Sequence, residues 1–507
     1  MSRKVLYVLM AAALVIITFI PTAHAGKADD TLNFAFKEEL KSMDNYFTTD
    51  RVTIVMGRLL YDSLLYRDPE TFKYKPLLAT SYKYVDDQTI EFELRRGVKY
   101  HNGEEFDADD VVYTFNFVSD PANKVKTQRN VNWIERAEKL GKYKVRLFTK
   151  TPFPAALEYL AGPLPIYPNE YYAKVGPDAF GASPIGTGPY RITEVDLGRK
   201  VVMVKNENYF EGSPKGKPSI GKIVQHTIPD KNTQIAGLLS GRLDWLWKVE
   251  PDQADNLKNM PKVNVKNGET MRIGYLQFDA ANRTGKNPPV ANLQVRQAIA
   301  HAIDRQTIVT TLLRGASRVM HSACFPSQFG CFQEVTHYEY NPEKAKQLLA
   351  EAGFPNGCTV DFYAYRNRPF AEAIMGYLNA VGIKTKLNWM KYTACRDKVR
   401  AGKVEMNFMT WGSYSINDTS AITGNFFKGG QDDTARDADL TRLLDIADNS
   451  IDVDVRQEHY QKALERIADQ VYWLPLWSYN YNYVYTKDLD FSPSPDEIPR
   501  FVNSKWR

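Results

Sequence analysis

Cysteine is scarce in this chain, with four among 507 residues: Cys324, Cys331, Cys358 and Cys395. Neither neighbouring pair has finger-like spacing, which argues against a structural zinc site. Histidine is almost as sparse, seven in all. The seven are scattered and form no HExxH or other helical metal pair. No tract of Lys and Arg occurs, and a formal charge of +5 so dispersed gives no support for a nucleic-acid surface. Beyond the first twenty residues no apolar run is long enough to cross a bilayer. Two glycine-containing segments also lack what catalysis would need. In Ser183-Pro184-Ile185-Gly186-Thr187-Gly188-Pro189-Tyr190 the third Gly of a phosphate cradle is replaced by Arg191, and Pro189 has no N–H to offer. Gly181-Ala182-Ser183-Pro184-Ile185 lacks the last Gly of a nucleophile elbow. No catalytic residue, metal or cofactor is expected.

What the chain does have begins with an export signal. Arg3 and Lys4 precede an uncharged apolar run from Val5 to Ile20, Pro21 breaks it, and Ala23-His24-Ala25 forms a small-residue cleavage site before Gly26. No Cys lies near that site, so no lipid anchor is expected. The remaining chain is too long for one core and implies two or three lobes. An even cysteine count in an exported protein allows two disulfides, in three pairings. Cys324 and Cys331 bracket a short Pro/Gly loop and make the easiest pair. Cys358 and Cys395 lie at the start of one strand and past the end of the next.

The first half alternates short strands and turns. Leu32 to Phe36 reads as a strand, Val52 to Leu65 as a helix, and Thr89 to Leu94 as a strand. Asp107 opens a helix whose first turn is acidic. Trp245 and Trp247 sit on a strand, and Met271 to Asp279 is a strand crossing between lobes. The second half is more regular. Asn292 caps a helix; Asn341, Pro342 and Gly353 are the cap, first residue and stop of another. Then follow strand Thr359 to Tyr365, helix Pro369 to Val381, strand Ile383 to Met390, helix Cys395 to Ala401 and strand Val404 to Thr410. A helix covers Arg456 to Val471, and Tyr472 to Tyr479 is a second extended crossing. Strands separated by single helices are parallel, with right-handed crossovers, so all three end on one edge. Ligands of open parallel sheets bind beyond those ends. The residues there are Tyr365, Arg366 and Arg368 after the first strand, Lys391 and Tyr392 after the second, and Trp411 to Asp418 after the third. Trp411 and Tyr414 supply flat apolar faces; Ser413, Asn417 and Asp418 supply donors and acceptors, a mixture suited to a small-ligand pocket. Phe36, Lys37, Glu38 and Tyr46, at and after the first strand, complete the candidate set.

Several runs, in order, resemble the periplasmic substrate-binding proteins of peptide/nickel-type ABC importers, solute-binding protein family 5. They are Phe92 to Gly103 with Ala108-Asp109-Asp110-Val111, Pro184 to Tyr190, Val295 to Ile299 with Ala302-Ile303-Asp304, and Tyr340 to Gly353. The resemblance implies an α/β, two-lobed periplasmic-binding-protein (type II) fold, with a two-strand hinge and an extra β-rich subdomain in the first lobe. Its boundaries would be a signal at 1–25, lobe Ia at 26–60, 184–272 and 481–507, lobe Ib at 61–183, and lobe II at 273–480. It also implies a periplasmic, monomeric receptor that closes on a peptide or peptide-like molecule and delivers it to a permease driven by ATPases. Peptide binders of the family often carry Trp-x-x-Asp after the last strand, the Asp pairing with the peptide's amino terminus. Here Trp411 matches, but Tyr414 stands at the Asp position. Asp418 or Glu38 would have to serve instead, or the ligand has no free amine. Arg366 or Arg368 matches a family position that meets a ligand carboxylate. An exported hydrolase, and a chaperone or chemoreceptor on the same scaffold, are the alternatives.

Overall fold

Two strands run the length of the molecule and tie its halves together. They belong to one ten-stranded sheet: β1 (Thr31–Phe36), β2 (Tyr190–Asp196), β3 (Lys200–Lys205), β4 (Lys222–Thr227), β5 (Trp245–Val249), β6 (Val263–Phe278), β7 (Cys358–Ala364), β8 (Ile383–Trp389), β9 (Met406–Trp411) and β10 (Trp473–Thr486). Their order is β8-β7-β9-β6-β10-β5-β1-β4-β3-β2. The computed structural model describes residues 26–507; the expected export signal and its cleavage site lie outside them. Among the described residues no helix is long and apolar enough to cross a membrane.

β6 and β10 are the long pair. Val263 to Glu269 pair antiparallel with Thr486 to Asn480 on one side of the molecule, and Ile273 to Gln277 pair with Ser478 to Trp473 on the other. Between these ladders Thr270, Met271 and Arg272 face the single residue Tyr479, a bulge that interrupts the pairing. The freed groups find other partners. Met271 N–H donates to Pro495 O at 2.8 Å, and Thr270 Oγ1 donates to Tyr479 O at 2.8 Å.

Each side of the bulge has its own core. On the first side Phe34, Phe36, Trp245, Tyr483, Phe491 and Phe501 pack together. β1 is buried at all six positions, because it is a parallel inner strand covered on both faces. The chain's last segment returns to this core through Phe491, Ile498 and Phe501. On the second side Leu276, Phe362, Phe408 and Trp477 form one cluster, and Tyr275, Trp411, Phe426 and Trp473 another. A separate four-stranded antiparallel sheet, built from Ala79–Asp86, Thr89–Leu94, Lys144–Thr149 and Ile134–Gly141, makes the β-rich addition to the first lobe. The architecture is thus the expected α/β, two-lobed fold with a two-strand crossing.

β7 is parallel to both β8 and β9, with helices Arg368–Ala380 and Tyr392–Arg400 making the crossovers. The carboxyl ends of the three strands therefore share one edge. The predicted helix from Val52 to Leu65 is shorter than expected: it spans Arg51–Leu60. The chain leaves it at Tyr61 so that buried Asp62 can receive Thr187 Oγ1 at 3.0 Å and Lys215 Nζ at 2.7 Å. Cys324 and Cys331 are joined. Cys358 and Cys395 are free, which corrects the option of a second disulfide: each packs against a different hydrophobic cluster.

Candidate functional site

Beyond the ends of β7 and β9 lies a cavity of about 250 Å³, lined by Arg51, Arg272, Tyr365, Tyr392, Trp411 and Tyr414 among others. A second cavity of about 210 Å³ shares Arg51 and Tyr414 with it and adds Arg58, Lys126 and Arg129. A third, about 530 Å³, takes Lys248 from the first lobe, Arg366 and Phe370 from the second, and Tyr479 and Tyr481 from β10.

Trp411 closes β9. Its ring stands edge-on to Tyr414 at 4.6 Å and to Phe426 at 5.1 Å, and its Nε1 donates to Ala421 O at 3.1 Å. Only 7% of it is exposed, so it is as much a core residue as a pocket wall. Tyr365 lies 5.0 Å from the Tyr392 ring, and its hydroxyl is 3.0 Å from Thr410 Oγ1. After Gly412 three consecutive non-glycine residues adopt left-handed backbone: Ser413 (φ 50°), Tyr414 (52°) and Ser415 (66°). Such a run is unfavourable for L-residues by about 1–3 kcal/mol each and persists only where neighbours enforce it. Here the enforcement comes from the first lobe. Arg51 Nη1 donates to Ser415 Oγ at 2.6 Å, Arg67 Nη1 donates to Ser415 O at 3.0 Å, and Asn417 N–H donates to Glu158 Oε1 at 2.9 Å. The Arg129 guanidinium lies 4.9 Å from the Tyr414 ring centre.

The remaining predicted residues are distributed unevenly. Arg366 lines the third cavity, with its guanidinium 5.6 Å from the Tyr479 ring. Asp418 lines none of the three cavities: it is buried, Oδ2 is held by Arg456 Nη2 at 2.8 Å, and Oδ1 is taken by Ser420 Oγ at 2.6 Å. Phe36 is wholly buried against Trp245 and Trp247 in the first core. Tyr46 is buried too, its hydroxyl donating to Pro165 O at 2.7 Å. Arg368 is an exposed helix residue paired with Glu372 at 2.7 Å. Lys37 and Glu38 are exposed and line none of the three cavities. Ser413 is buried with its Oγ unpartnered, and Asn417 Oδ1 accepts from Ser327 Oγ at 3.2 Å.

The charged residues that do line the cavities are mostly absent from the sequence-based set. Arg51 and Arg58 are seven residues apart on one helix and so share a face. Arg272 sits in the bulge of β6; an arginine inside the apolar run MRIGYLQF is the one visible signal. Its partner is Glu497, which is buried and left-handed at φ 62°. Arg272 Nε meets Glu497 Oε1 at 2.8 Å and Nη2 meets Oε2 at 3.0 Å, a bidentate pair. Arg51 Nη2 adds a contact to Oε2 at 3.2 Å. Burial by itself would push the Glu497 carboxyl up, but Arg272 and Arg51 outweigh it and hold the pKa at about 2. Burial pushes Lys248 down to about 8, against the pull of Glu497 and Glu38. Burial, with the nearby charge of Arg500, likewise lowers Arg58 to about 9.

Residues 73–433 match the family described as bacterial extracellular solute-binding proteins, family 5 Middle. Heme-binding protein A of Haemophilus influenzae is 28% identical over 474 residues, covering 85% of this chain and 82% of that protein. Glutathione-binding protein GsiB of Escherichia coli (strain K12) is 27% identical over 398 residues, covering 78% and 75%. The ABC transporter-associated periplasmic binding protein DppA of Helicobacter pylori, solved in complex with peptide STSA, matches with a TM-score of 0.78 at 25% identity, over 94% of this chain and 98% of that one. These relatives are solute-binding proteins, not enzymes. The chain belongs to the bacterial extracellular solute-binding proteins of family 5, the ligand-capturing components of ABC importers.

Proposed function

We propose that this chain is exported, cleaved after Ala25 and released into the periplasm without a lipid anchor. There it acts as a monomeric receptor that closes on a peptide or peptide-like small molecule. Residues 26–60, 184–272 and 481–507 would make the body of one lobe, 61–183 its β-rich addition, and 273–480 the other lobe. The loaded receptor would present its ligand to a membrane permease powered by ATPases, and it would catalyse no reaction. The observation that carries this reading is the cavity beyond β7 and β9, walled by Tyr365, Tyr392, Trp411 and Tyr414 from one lobe and by Arg51 from the other. It lies beside the bulge where the two crossing strands lose their pairing, and hinge closure at such a crossing is an established way to enclose a ligand. The glutathione and peptide named for GsiB and for the DppA complex are in keeping with a peptide-like ligand.

The test is to purify the protein from its native host and identify what co-purifies by native mass spectrometry. The compound should then raise the melting temperature of refolded, ligand-free protein in a saturable way, since ligand at about a hundred times its Kd adds about 2.7 kcal/mol. Replacing Tyr414 by Ala should weaken that stabilisation. Turnover of the compound, or broad weak binding of unfolded chains in its place, would defeat the proposal.

A further inference from the structure

We infer that the part of the solute seated against Arg51 and Tyr414 is polyanionic, with at least two carboxylate or phosphate groups and no ammonium there. This rests on the solute-binding reading above and adds the chemical class. The two adjoining cavities that share Arg51 and Tyr414 are lined by five cationic side chains, Arg51, Arg58, Lys126, Arg129 and Arg272, and neither lining contains an Asp or Glu. Just behind them, Glu497 neutralises part of this charge through Arg272 and Arg51. Among the described residues Arg58, Lys126 and Arg129 have no ion-pair partner, so at least three cationic groups are left to meet a ligand.

Arg58 carries the strongest signal. Its Nε is buried with no hydrogen-bond partner. Its guanidinium lies against Gly162, where a Cβ would overlap it, so the missing side chain at 162 is what lets the group reach this position. Two like charges, Arg500 and Arg67, lie near it, and the one carboxylate close by, Asp496, is paired with both of them. A buried cation without a partner is costly, and an incoming anion relieves that cost. The Arg272–Glu497 pair displays, in this same cleft, how a guanidinium fork takes a carboxylate with two bonds.

The absence of an amine at this end of the ligand follows from Arg129. The place beside Trp411 and Tyr414 is already filled by a cation of the protein. The Arg129 guanidinium lies 4.9 Å from the Tyr414 ring and 5.9 Å from the Trp411 ring, and its Nη2 is bonded to Asn425 Oδ1. Asp418, the nearest acidic residue along the chain, is bound to Arg456. A ligand ammonium placed here would meet like charge, and the carboxylates nearby, Glu497 and Asp418, are already paired with arginines.

The experiment uses full-length exported protein, unfolded in denaturant to strip it and then refolded. The small-molecule extract of the host is split on an anion-exchange column into a retained, anionic pool and an unretained, neutral and cationic pool. Each pool is titrated while the melting temperature is followed. Stabilisation should come from the retained pool and weaken with added salt. In the Arg129→Gln variant the amount needed for half-saturation should rise about tenfold, equivalent to about 1.4 kcal/mol. Methyl esterification of the pool separates the two sources: it abolishes the effect of carboxylates and spares that of phosphates. Stabilisation by the unretained pool alone overturns the inference while leaving a solute receptor. Stabilisation by neither pool overturns the receptor reading, and this inference with it. The pool assignment uses unmodified protein, so it stands whether or not a variant folds.

Discussion

Glu497 is a buried carboxylate that two arginines keep ionised, and replacing it with Gln has a worked consequence. Its carboxyl is held at about 2 against an ordinary 4.5. Each tenfold change in proton affinity is worth about 1.4 kcal/mol, so that difference corresponds to about 3 kcal/mol of stability. The sign follows from which state binds the proton first. Between pH 4.5 and about 2 the unfolded chain protonates this carboxyl while the folded chain does not. The contribution is therefore complete above pH 4.5 and is lost as the pH falls toward 2. Glu497→Gln has no such titration, and it leaves Arg272 and Arg51 without their anion, a loss of the order of 3–5 kcal/mol for a broken buried pair. Urea unfolding of both proteins, followed by tryptophan fluorescence, should show a gap of about 3 kcal/mol near neutral pH. That gap should narrow steadily as the pH falls below 4.5. A gap of the same size at the acid end as at neutral pH, or no gap at all, would refute the charge assignment.

Three further outcomes follow from contacts already described. Tyr414→Asp alone should gain no preference for ligands with a free amine, because the new carboxylate would pair with Arg129, whose guanidinium is 4.9 Å from the present ring. Tyr414→Asp with Arg129→Gln should gain that preference, measured as Kd for an amine-bearing tripeptide against its N-acetylated form; equal values would count against the geometry. Trp411→Ala should lower stability by about 3–5 kcal/mol, since the indole is buried against Phe426, and an unchanged urea midpoint would remove it from the core. Unfolded without reductant, the protein should yield two alkylatable thiols, Cys358 and Cys395. In the folded state both should react slowly, because burial raises each thiol to about 11.

The parts of this fold that are legible from sequence are those written locally. Asn341 caps its helix by accepting from Lys344 N–H, and Asp107 forms a capping box with Asp110; both are short-range patterns. The strand–helix alternation after Thr359 reports the common edge, and Trp411, Tyr365 and Tyr414 stand out because they lie at or just past strand ends. Long-range pairing is what local patterns do not carry. Arg51 meets Glu497 across 446 residues of sequence, a pairing no local pattern encodes. Asp418 misleads because a carboxylate in a loop looks the same whether a ligand or Arg456, 38 residues on, is its partner. Phe36 misleads because an inner parallel strand is covered on both faces, so its alternation does not distinguish an outward side chain from an inward one.

The bulge in β6 puts Arg272 at the pivot of the molecule. Its guanidinium, which lines the cavity beyond β7 and β9, is thus carried by the backbone segment where the two crossing strands lose their pairing. On the proposed closing motion, a molecule that pulled on that side chain would also pull on the joint, so recognition and motion would be wired through one residue. A competitor that fills the same hollow without touching it would occupy the receptor yet leave the jaws ajar.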